Sequence, residues 1–291
     1  VVFVDIDKNT LNIDLDALKR NITEKTRMIL LVNLLGNPNE FDAIKDMCRD
    51  KDIIIMEDNC ESLGARYQGK QAGTFGLLGT YSSFYSHHIC TMEGGVVVTD
   101  DEQLYEYMLA ARAHGWTRNL PDNSTIYEKK SDPFYESFNF IIPGFNLRPL
   151  EMEGAIGQEQ LRKMDGMINQ RRKNAGYFKN SMKQFEDIRI QKEIGESSWF
   201  GFALLLQGRL IGKRDKIVHA LREHGIETRP IVAGNFTRNK VIEYMDYSIP
   251  EELVNADDIH FNGFFIGNHS ADNTKEIDYF IDVLENAIKE S

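Results

Sequence analysis

Short apolar runs alternate with segments of helical periodicity over the first hundred residues. LDALKRNIT and EFDAIKDMCRDK place their apolar residues at the spacing of an amphipathic helix. The runs before, between and after them have the length of strands: VVFVDID, MILLVNLL, DIIIMED, SFYSHHIC and VVVTD. Strands that alternate with helices predict an α/β fold with a mostly parallel sheet.

A long helix is predicted to join two parts of the chain. From Leu150 to about Asn174 the apolar residues share one helical face: Met152, Ile156, Leu161, Met164 and Ile168. Further strands and helices are predicted beyond it: WFGFALLLQ, GKRDKIVHALREHG, IETRPIV, HFNGFFIG and TKEIDYFIDVLENAIKES. We therefore expect a large domain over 1–149, a connecting helix over 150–175 and a small C-terminal α/β domain over 176–291. The polar and aromatic stretch 117–145 is expected to be a functional loop or hairpin.

Composition and charge narrow the class of protein. The chain of 291 residues is 42% hydrophobic with a net charge of −11, which argues against a nucleic-acid-binding surface. No apolar run approaches the roughly 20 residues that span a bilayer. The three cysteines form no CxxC pair, and this favours a reducing cytoplasm over a disulfide framework. The chain opens on a strand pattern without Met, so we expect that an N-terminal part of the protein is absent from it.

Asp58 ends the run DIIIMED, and ligands of parallel sheets bind at the carboxyl ends of strands. An acidic residue in this place can simply cap a helix. The alternative is a carboxylate that faces the cation of a cofactor. The small residues that follow it in NCESLGA allow a ligand to approach closely.

His87 and His88 precede the glycine pair Gly94-Gly95 in SFYSHHICTMEGG. On a strand, neighbouring side chains point to opposite faces, so one histidine is expected to be packed and the other exposed. A metal site with Cys90 lacks a third ligand nearby in sequence, and we expect no metal. The remaining interpretation is a general base, the commonest role of a catalytic histidine.

Together these segments resemble one family, the fold-type-I, pyridoxal-phosphate-dependent sugar aminotransferases of the DegT/DnrJ/EryC1 type. The resemblance covers essentially the whole chain and rests on long motifs in the family's order: VVFVDID with LNID, EDNCESLGARYQGKQAGTFG, SFYSHHICTMEGGVVVTD and GFNLRPLEMEGAIGQEQLRKMDGMINQRR. It implies an aspartate-aminotransferase-like fold and a homodimer with shared active sites. It also implies upstream elements, absent from this chain, that bind the cofactor's phosphate and stack on its ring.

One departure from the family concerns the lysine that holds the cofactor covalently. Counting forward from Ser83 places that lysine position at His88, whereas counting back from EGG places it at His87. We prefer His88, because a strand fixes position better than a loop does. Either way the stretch contains no lysine, so no covalent link between cofactor and chain can form there.

The motif match implies roles for four further residues. Asp58 would pair with the pyridinium nitrogen, and Ser83 would bind the cofactor's phosphate. Asn146 would reach the phosphate of the neighbouring subunit's cofactor. Glu61 stands where the aminotransferases have glutamine, near the cofactor's phenolic oxygen, and its role is left open.

Asn235 and Arg238 are predicted to contact the sugar or the carboxylate of glutamate, since arginine suits planar carboxylate and phosphate groups. The ordinary alternatives are a helix cap and a solvated surface charge. Likewise, Gly94 and Gly95 can serve a tight turn, and GFNLRP at 144–149 can be a loop that enters a helix.

The histidine pair marks a subgroup of the family, the 3-dehydratases of nucleotide-linked 4-keto-6-deoxy sugars. They also resemble this chain at SWFGF (198–202) and TRPIVAGNFTR (228–238). One kind acts on CDP-4-keto-6-deoxyglucose with an iron–sulfur cluster, and another acts on GDP-4-keto-6-deoxy-D-mannose with pyridoxal phosphate and glutamate alone. A cluster takes about four cysteines and the chain has three, so we expect no cluster. The expected substrate is the GDP sugar, on the route to GDP-colitose of lipopolysaccharide O-antigens.

The implied reaction has two halves. L-Glutamate first converts pyridoxal phosphate to pyridoxamine phosphate. The 4-keto sugar then loses its C3 hydroxyl, with His88 as base, and ammonia is released. Three alternatives stay open: the CDP-sugar dehydratase, a nucleotide-sugar aminotransferase without its lysine, and a non-enzymatic homologue that binds sugar nucleotides.

Overall fold

Two four-stranded sheets organise the chain, and the computed structural model describes all residues from Val1 to Ser291. The helices are α1 (Leu15–Asn21), α2 (Phe41–Cys48), α3 (Glu102–Ala111), α4 (Pro133–Glu136), α5 (Glu151–Ser181), α6 (Arg214–Glu223), α7 (Val254–Asn262) and α8 (Thr274–Glu290). The strands are β1 (Met28–Val32), β2 (Ile54–Asp58), β3 (Arg66–Tyr67), β4 (Lys70–Gln71), β5 (Leu78–Ser82), β6 (Gly95–Val98), β7 (Ile188–Ile190), β8 (Gly201–Leu206), β9 (Thr228–Arg229) and β10 (Gly263–Gly267).

The first sheet has the strand order β1-β2-β5-β6. The first three strands are parallel, as the sequence predicts, while β6 runs antiparallel to β5 at the edge. One face of this sheet packs on α1 and α2 through a cluster that includes Leu18, Leu31, Phe41 and Ile44. The mostly parallel order brings the carboxyl ends of β1, β2 and β5 to one edge.

Buried polar groups fasten that edge. The Glu57 carboxylate is 1% exposed and accepts backbone N–H groups from Gly73 (2.6 Å), Phe75 (2.5 Å) and Gly76 (2.8 Å). The side-chain amide of Asn33, just after β1, donates to the side-chain oxygen of Asn59, just after β2, at 2.6 Å. Each buried group therefore has a partner, which secures the loops after β1, β2 and β4.

The second sheet is antiparallel, with the order β7-β8-β10-β9. All six residues of β8 are buried, because both faces are covered. One face packs on α5, α6 and α8 in a cluster of 19 residues that includes Phe178, Phe202 and Leu204. The other face packs on Leu11 and Leu35 beside the first sheet.

Several predicted elements differ in the structure. VVFVDID forms only isolated bridges, at Val2 and Ile6, so it is not a ladder strand. β1 is buried on one side alone, since Leu30 is 57% exposed. SFYSHHIC is a series of turns. β9 has only two residues, and the first three residues of HFNGFFIG finish α7. The sequence pattern did not predict α3, α4, α7, β3, β4, β5 or β7.

The long helix α5 exists and runs from Glu151 to Ser181, beyond the expected end near Asn174. Arg172 fastens its second half to the rest of the chain by donating to the carbonyls of Ser197 (2.9 Å) and Gly64 (3.0 Å). The domain limits 1–149, 150–175 and 176–291 stay predictions. No helix combines the length and the apolar character that crossing a membrane requires.

Candidate active site

Asp58 is the last residue of β2, at the edge where the parallel strands end. The strand register places it beside Val32 of β1 and Thr80 of β5, so it shares a sheet face with them. It is half-buried, and its Oδ1 accepts the Cys60 N–H at 3.0 Å. Burial, together with the adjoining Asp58 carboxylate, raises the pKa of the Cys60 thiol to about 12. Asp58 thus stands at the position where ligands of such sheets bind.

Glu61 lies in the turn that follows, and its Oε2 accepts the Leu35 N–H at 2.9 Å. Burial raises the pKa of Glu61 to about 7, against the stabilising bond from Leu35, and the Asp58 charge adds to the rise. Near neutral pH this carboxyl group is therefore divided between its acid and its anion. The charge of Asp58 thus influences Glu61, while the roles that the motif match implies for the two residues stay predictions.

We expect Glu61 to make the protein less stable as pH rises. Its pKa is about 7 in the fold against an ordinary value of 4.5, so the folded chain binds more protons than the unfolded chain between these values. The free energy of unfolding therefore falls from about pH 4.5 to about pH 7. Urea denaturation of Glu61→Gln should show a flatter profile over this window, with Glu24→Gln as the exposed control. An identical slope in the two variants would contradict the burial of an ionisable Glu61.

The histidine segment folds as turns around an aromatic ring. The His87 N–H donates to the Phe84 carbonyl at 2.9 Å. Both imidazoles pack against Phe200, with ring centroids 5.2 Å away for His87 and 5.6 Å away for His88. Phe200 itself is tied to Leu35 by a backbone hydrogen bond of 3.0 Å. The ring therefore holds both histidines beside the residues that contact Glu61.

The two imidazoles have different surroundings. His88 is 3% exposed, and its Nε2 lies 3.4 Å from the Ser198 carbonyl. Burial, with the nearby Arg171 charge, lowers the pKa of His88 to about 3. His87 is only half-buried; burial lowers its pKa too, but the Asp58 carboxylate opposes that change. His87 is thus the less buried of the two imidazoles, and the choice between His88, counted from Ser83, and His87, counted back from EGG, stays a prediction.

Ser83 is 6% exposed, and its hydroxyl lies 2.6 Å from the Thr91 hydroxyl. Gly94 adjoins this pair at φ +131°, where an added Cβ would come within 2.9 Å of Ser83 Oγ. The glycine therefore permits the close return of the loop, which is the ordinary interpretation of the EGG motif. The Ser83 hydroxyl already has Thr91 as a hydrogen-bond partner. Its contact with the cofactor's phosphate stays a prediction.

The other predicted site residues lie apart from this unit. Asn146 is exposed beside α5 and forms an isolated bridge with Ala113. Asn235 is 4% exposed and donates to Asp257 at 2.7 Å. Arg238 binds the same carboxylate, with Nε at 2.9 Å and a second nitrogen at 2.5 Å. No hydrogen bond links these three residues to Asp58, Glu61 or the histidines.

The edge of the sheet fits a pyridoxal cofactor. Asp58 offers an anion for a protonated ring nitrogen. The buried Nδ1 atoms of His87 and His88 have no hydrogen-bond partner, so the segment keeps unused hydrogen-bonding capacity. No group of three or more His, Cys, Asp or Glu side chains is arranged to hold a metal ion.

Phe200, Ser198 and Arg171 are the residues of this site that sequence reasoning missed. They follow the histidines by about a hundred residues, and only the packing of β8 and α5 on the first sheet brings them there. The resemblance at SWFGF pointed to the segment of Ser198 and Phe200 but not to its place beside the histidines. For His87, by contrast, the sequence contains a signal, because counting back from the EGG motif places the family's lysine position there.

The family model of the DegT/DnrJ/EryC1/StrS aminotransferase family matches residues 1–285. The chain is 58% identical over 287 residues to GDP-4-keto-6-deoxy-D-mannose 3-dehydratase of Yersinia pseudotuberculosis, covering 98% of this chain and 73% of the relative. It is 54% identical over 287 residues to the enzyme of the same name from Escherichia coli O55:H7, covering 98% and 74%.

A solved structure of the E. coli enzyme with bound hydrated pyridoxal phosphate superimposes with a TM-score of 0.96 at 53% identity, covering 98% of this chain and 74% of that chain. Other structures of this enzyme, also 53% identical, contain a trapped PLP–glutamate geminal diamine, or GDP-perosamine bound to a histidine-to-asparagine variant. In a further variant, a serine and the histidine directly after it are replaced by asparagine and lysine.

Proposed function

Since this chain belongs to the DegT/DnrJ/EryC1/StrS aminotransferase family, we propose that it removes the C3 hydroxyl from GDP-4-keto-6-deoxy-D-mannose, with pyridoxal phosphate and L-glutamate. The observation that carries this proposal is the pair of histidines in the segment after β5, which contains no lysine. The two relatives that carry the corresponding enzyme name are 58% and 54% identical to this chain. The bound PLP–glutamate adduct and GDP-perosamine of the solved enzyme support the same cofactor, amino donor and nucleotide.

His87 is the proposed base. It is the imidazole on which the Asp58 carboxylate acts, whereas His88 is enclosed by Ser198 and the arginines of α5. The solved enzyme's replaced histidine follows a serine directly, and in this chain Ser86 directly precedes His87. His88 is then a neutral packing partner that fixes the position of Phe200 and, through it, of His87.

When bound, the cofactor supplies an amino group for the ketone and a ring that accepts electrons. Asp58 places a negative charge at the sheet edge and favours a protonated ring nitrogen there. His87, with its lowered pKa, is neutral near pH 7 and can accept a proton. It can then return that proton to the departing C3 hydroxyl, which leaves as water. Glu61, with a pKa of about 7, can hold or release a further proton beside Asp58.

We propose a homodimer whose subunits share active sites. Large apolar side chains stand exposed at the start of α5 and in the loop before it: Phe145 (66%), Leu147 (67%), Leu150 (62%) and Met152 (61%). An apolar surface of this kind fits contact with a second copy of the chain. Asn146 projects from the same surface, where it would reach the neighbouring subunit's cofactor.

Complementation between variants tests this arrangement. Asn146→Ala and His87→Asn should each lower activity, because each damages every site of its own homodimer. A mixed dimer of the two variants should regain activity, since one of its sites receives both intact residues. Steady-state rates of co-expressed, affinity-separated mixed dimers measure this effect. Mixed dimers no more active than the two parent variants would exclude a shared site.

The reaction is proposed to occur in the cytoplasm and without an iron–sulfur cluster. The three cysteines are unpaired, as is usual in a reducing compartment. Cys48 ends α2, and Cys60 and Cys90 lie in two separate loops, whereas a cluster takes about four cysteine ligands.

The test of the function is an assay of the full-length protein with L-glutamate, pyridoxal phosphate and either the GDP or the CDP 4-keto-6-deoxy sugar. Mass spectrometry should detect loss of the C3 oxygen from the GDP sugar, together with ammonia. An aminated sugar would instead identify an aminotransferase. Turnover of the CDP sugar alone would assign the other dehydratase, and no product with either sugar would refute the enzymatic proposal.

A further inference from the structure

One guanidinium is buried without a counter-ion next to the histidine segment. Arg171, in the second half of α5, is 6% exposed, and its Nε has no hydrogen-bond partner. It takes part in no ion pair. Its Nη1 donates to the Phe200 carbonyl at 3.3 Å. Burial lowers the pKa of Arg171 to about 10, so the guanidinium keeps its charge near neutral pH.

The next residue of the same helix is bound differently. Arg172 donates to the carbonyls of Ser197 and Gly64 at 2.9 and 3.0 Å, and it lies 3.7 Å from the Glu196 carboxylate. Arg172 therefore stabilises the fold. A buried cation that lacks both a counter-ion and a full set of acceptors instead costs the fold free energy. Such a local conflict is typical of a group that serves function rather than stability, and Arg171 is of this kind.

Arg171 is attached to the backbone segment whose ring packs on the histidines. Its carbonyl accepts the side-chain amide of Asn268 at 3.1 Å, and the same amide donates to the Trp199 carbonyl at 2.8 Å. The following residue, Phe200, accepts the guanidinium and packs its ring against both imidazoles. A change at Arg171 would therefore reach the imidazoles through Phe200.

Neither imidazole has acceptors for protons on both of its nitrogens. The Nε2 of His88 lies 3.4 Å from the Ser198 carbonyl. The buried Nδ1 atoms of His87 and His88 have no hydrogen-bond partner. Protonation of either ring would therefore leave an N–H group at Nδ1 without an acceptor. The segment is built for neutral imidazoles.

The charged groups around the pair act in opposite directions. Burial is the largest cause of the lowered pKa of both histidines, and the charge of Arg171 adds to it at each of them. Asp58, at the end of β2, opposes this change at His87. At His88 the smaller effects of His87 and Arg172 have the same sign as that of Arg171.

We propose that Arg171 is a positioning residue for the proton transfer that the histidine segment carries out. Its buried charge opposes a second positive charge on the segment, and its hydrogen bond holds Phe200 against both imidazoles. This inference rests on the proposed function, because it concerns the base of that reaction. Arg171 acts through Phe200 and through its electric field rather than by contact with a substrate.

Histidine titration by NMR tests the effect of the charge without any substrate. In the full-length protein, the resonances of the pair are assigned with the His87→Asn and His88→Asn variants. In Arg171→Met the titration midpoint of His87 should rise by about one pH unit, because a like charge has been removed. Arg171→Lys keeps a positive charge and should titrate like the unaltered protein. Arg172→Met is the matched control and should leave the His87 midpoint unchanged.

Urea denaturation separates this role from a structural one. Arg171→Met should keep or raise the free energy of unfolding, because it removes a buried charge that has no counter-ion. Arg172→Met should lower it, since that variant loses two hydrogen bonds to carbonyls. A loss of stability in Arg171→Met as large as that in Arg172→Met would overturn the proposal, because Arg171 would then serve the fold.

Steady-state rates connect the charge to the reaction. The acid limb of the kcat/KM profile for the sugar should move to higher pH in Arg171→Met, by the same amount as the NMR midpoint of His87. The KM for L-glutamate should stay unchanged, because Arg171 is enclosed. A rise of this KM by about 10-fold or more would make Arg171 a contact of the glutamate carboxylate and would overturn the proposal.

Two results of the NMR titration count against the role of the charge. These are an unmoved His87 midpoint in Arg171→Met, and a midpoint in Arg171→Lys that moves as it does in Arg171→Met. A moved midpoint in Arg171→Met alone, in a protein that turns over neither the GDP nor the CDP sugar, would support the effect of Arg171 on the pair and refute the proposed function. The two failures are therefore distinguishable.

Discussion

His87→Asn is expected to lower the rate of sugar dehydration by about 10²–10⁴-fold, the usual contribution of a positioned general base. The imidazole of His87 is the one beside Asp58, and asparagine cannot accept a proton near neutral pH. Binding of the cofactor and of GDP should persist, as absorbance and calorimetry would show. Single-turnover rates with the pyridoxamine form of the enzyme measure the effect directly.

His88→Asn is the matched comparison. This substitution should mainly lower the free energy of unfolding, because His88 is enclosed against Phe200 and Ser198. The lowered pKa of His88 means that the unfolded chain binds more protons between about pH 3 and pH 6.5. The stability that neutral His88 contributes is therefore lost as pH falls through this range, and His88→Asn should reduce this sensitivity to acid.

Lysine substitutions decide the register. His87→Lys should attach the cofactor covalently, visible as a shifted absorption band and trapped by borohydride, and it should abolish dehydration. His88→Lys should instead destabilise the fold, because it buries an ammonium group near Arg171. A trapped adduct in His88→Lys but not in His87→Lys would restore the count from Ser83 and place the base at His88.

Asp58→Asn is expected to reduce turnover by about 10²-fold or more, several kcal/mol of transition-state stabilisation. Asparagine keeps an oxygen that can accept the Cys60 N–H, so the fold should be retained. It removes the negative charge that favours a protonated ring nitrogen. The ratio of kcat values and the cofactor's absorption spectrum measure the effect.

Asp52→Asn is the control for this change, since Asp52 is exposed near the other end of β2. It should turn over like the unaltered protein. Near-normal turnover of Asp58→Asn would show that the carboxylate serves only its hydrogen bond to Cys60.

The local pattern of apolar and polar residues was sufficient to predict much of the architecture. Helical spacing predicted α2, α5, α6 and α8, because the apolar residues of an amphipathic helix recur every three or four positions along the chain. It failed where an element depends on its neighbours. HFNGFFIG was predicted as one strand, but the antiparallel pairing with β8 begins only at Gly263, and the preceding turn of the chain remains helical. SFYSHHIC lies beyond the end of β5 and finds no strand to pair with.

The sequence by itself determined the family, the carboxylate at the end of β2 and the absence of a lysine between Ser83 and Gly95, because motif order and residue identity are properties of the chain alone. The tertiary structure decided how deeply each of the two histidines is buried. Sequence counts leave the lysine position open between His87 and His88, and the packing of Phe200 and Ser198, in the segment before β8, encloses His88 more than His87. The pKa of Glu61 and the place of Arg171 near the histidines were likewise decided by folding, since burial and charge separation depend on distances that spacing in sequence does not contain.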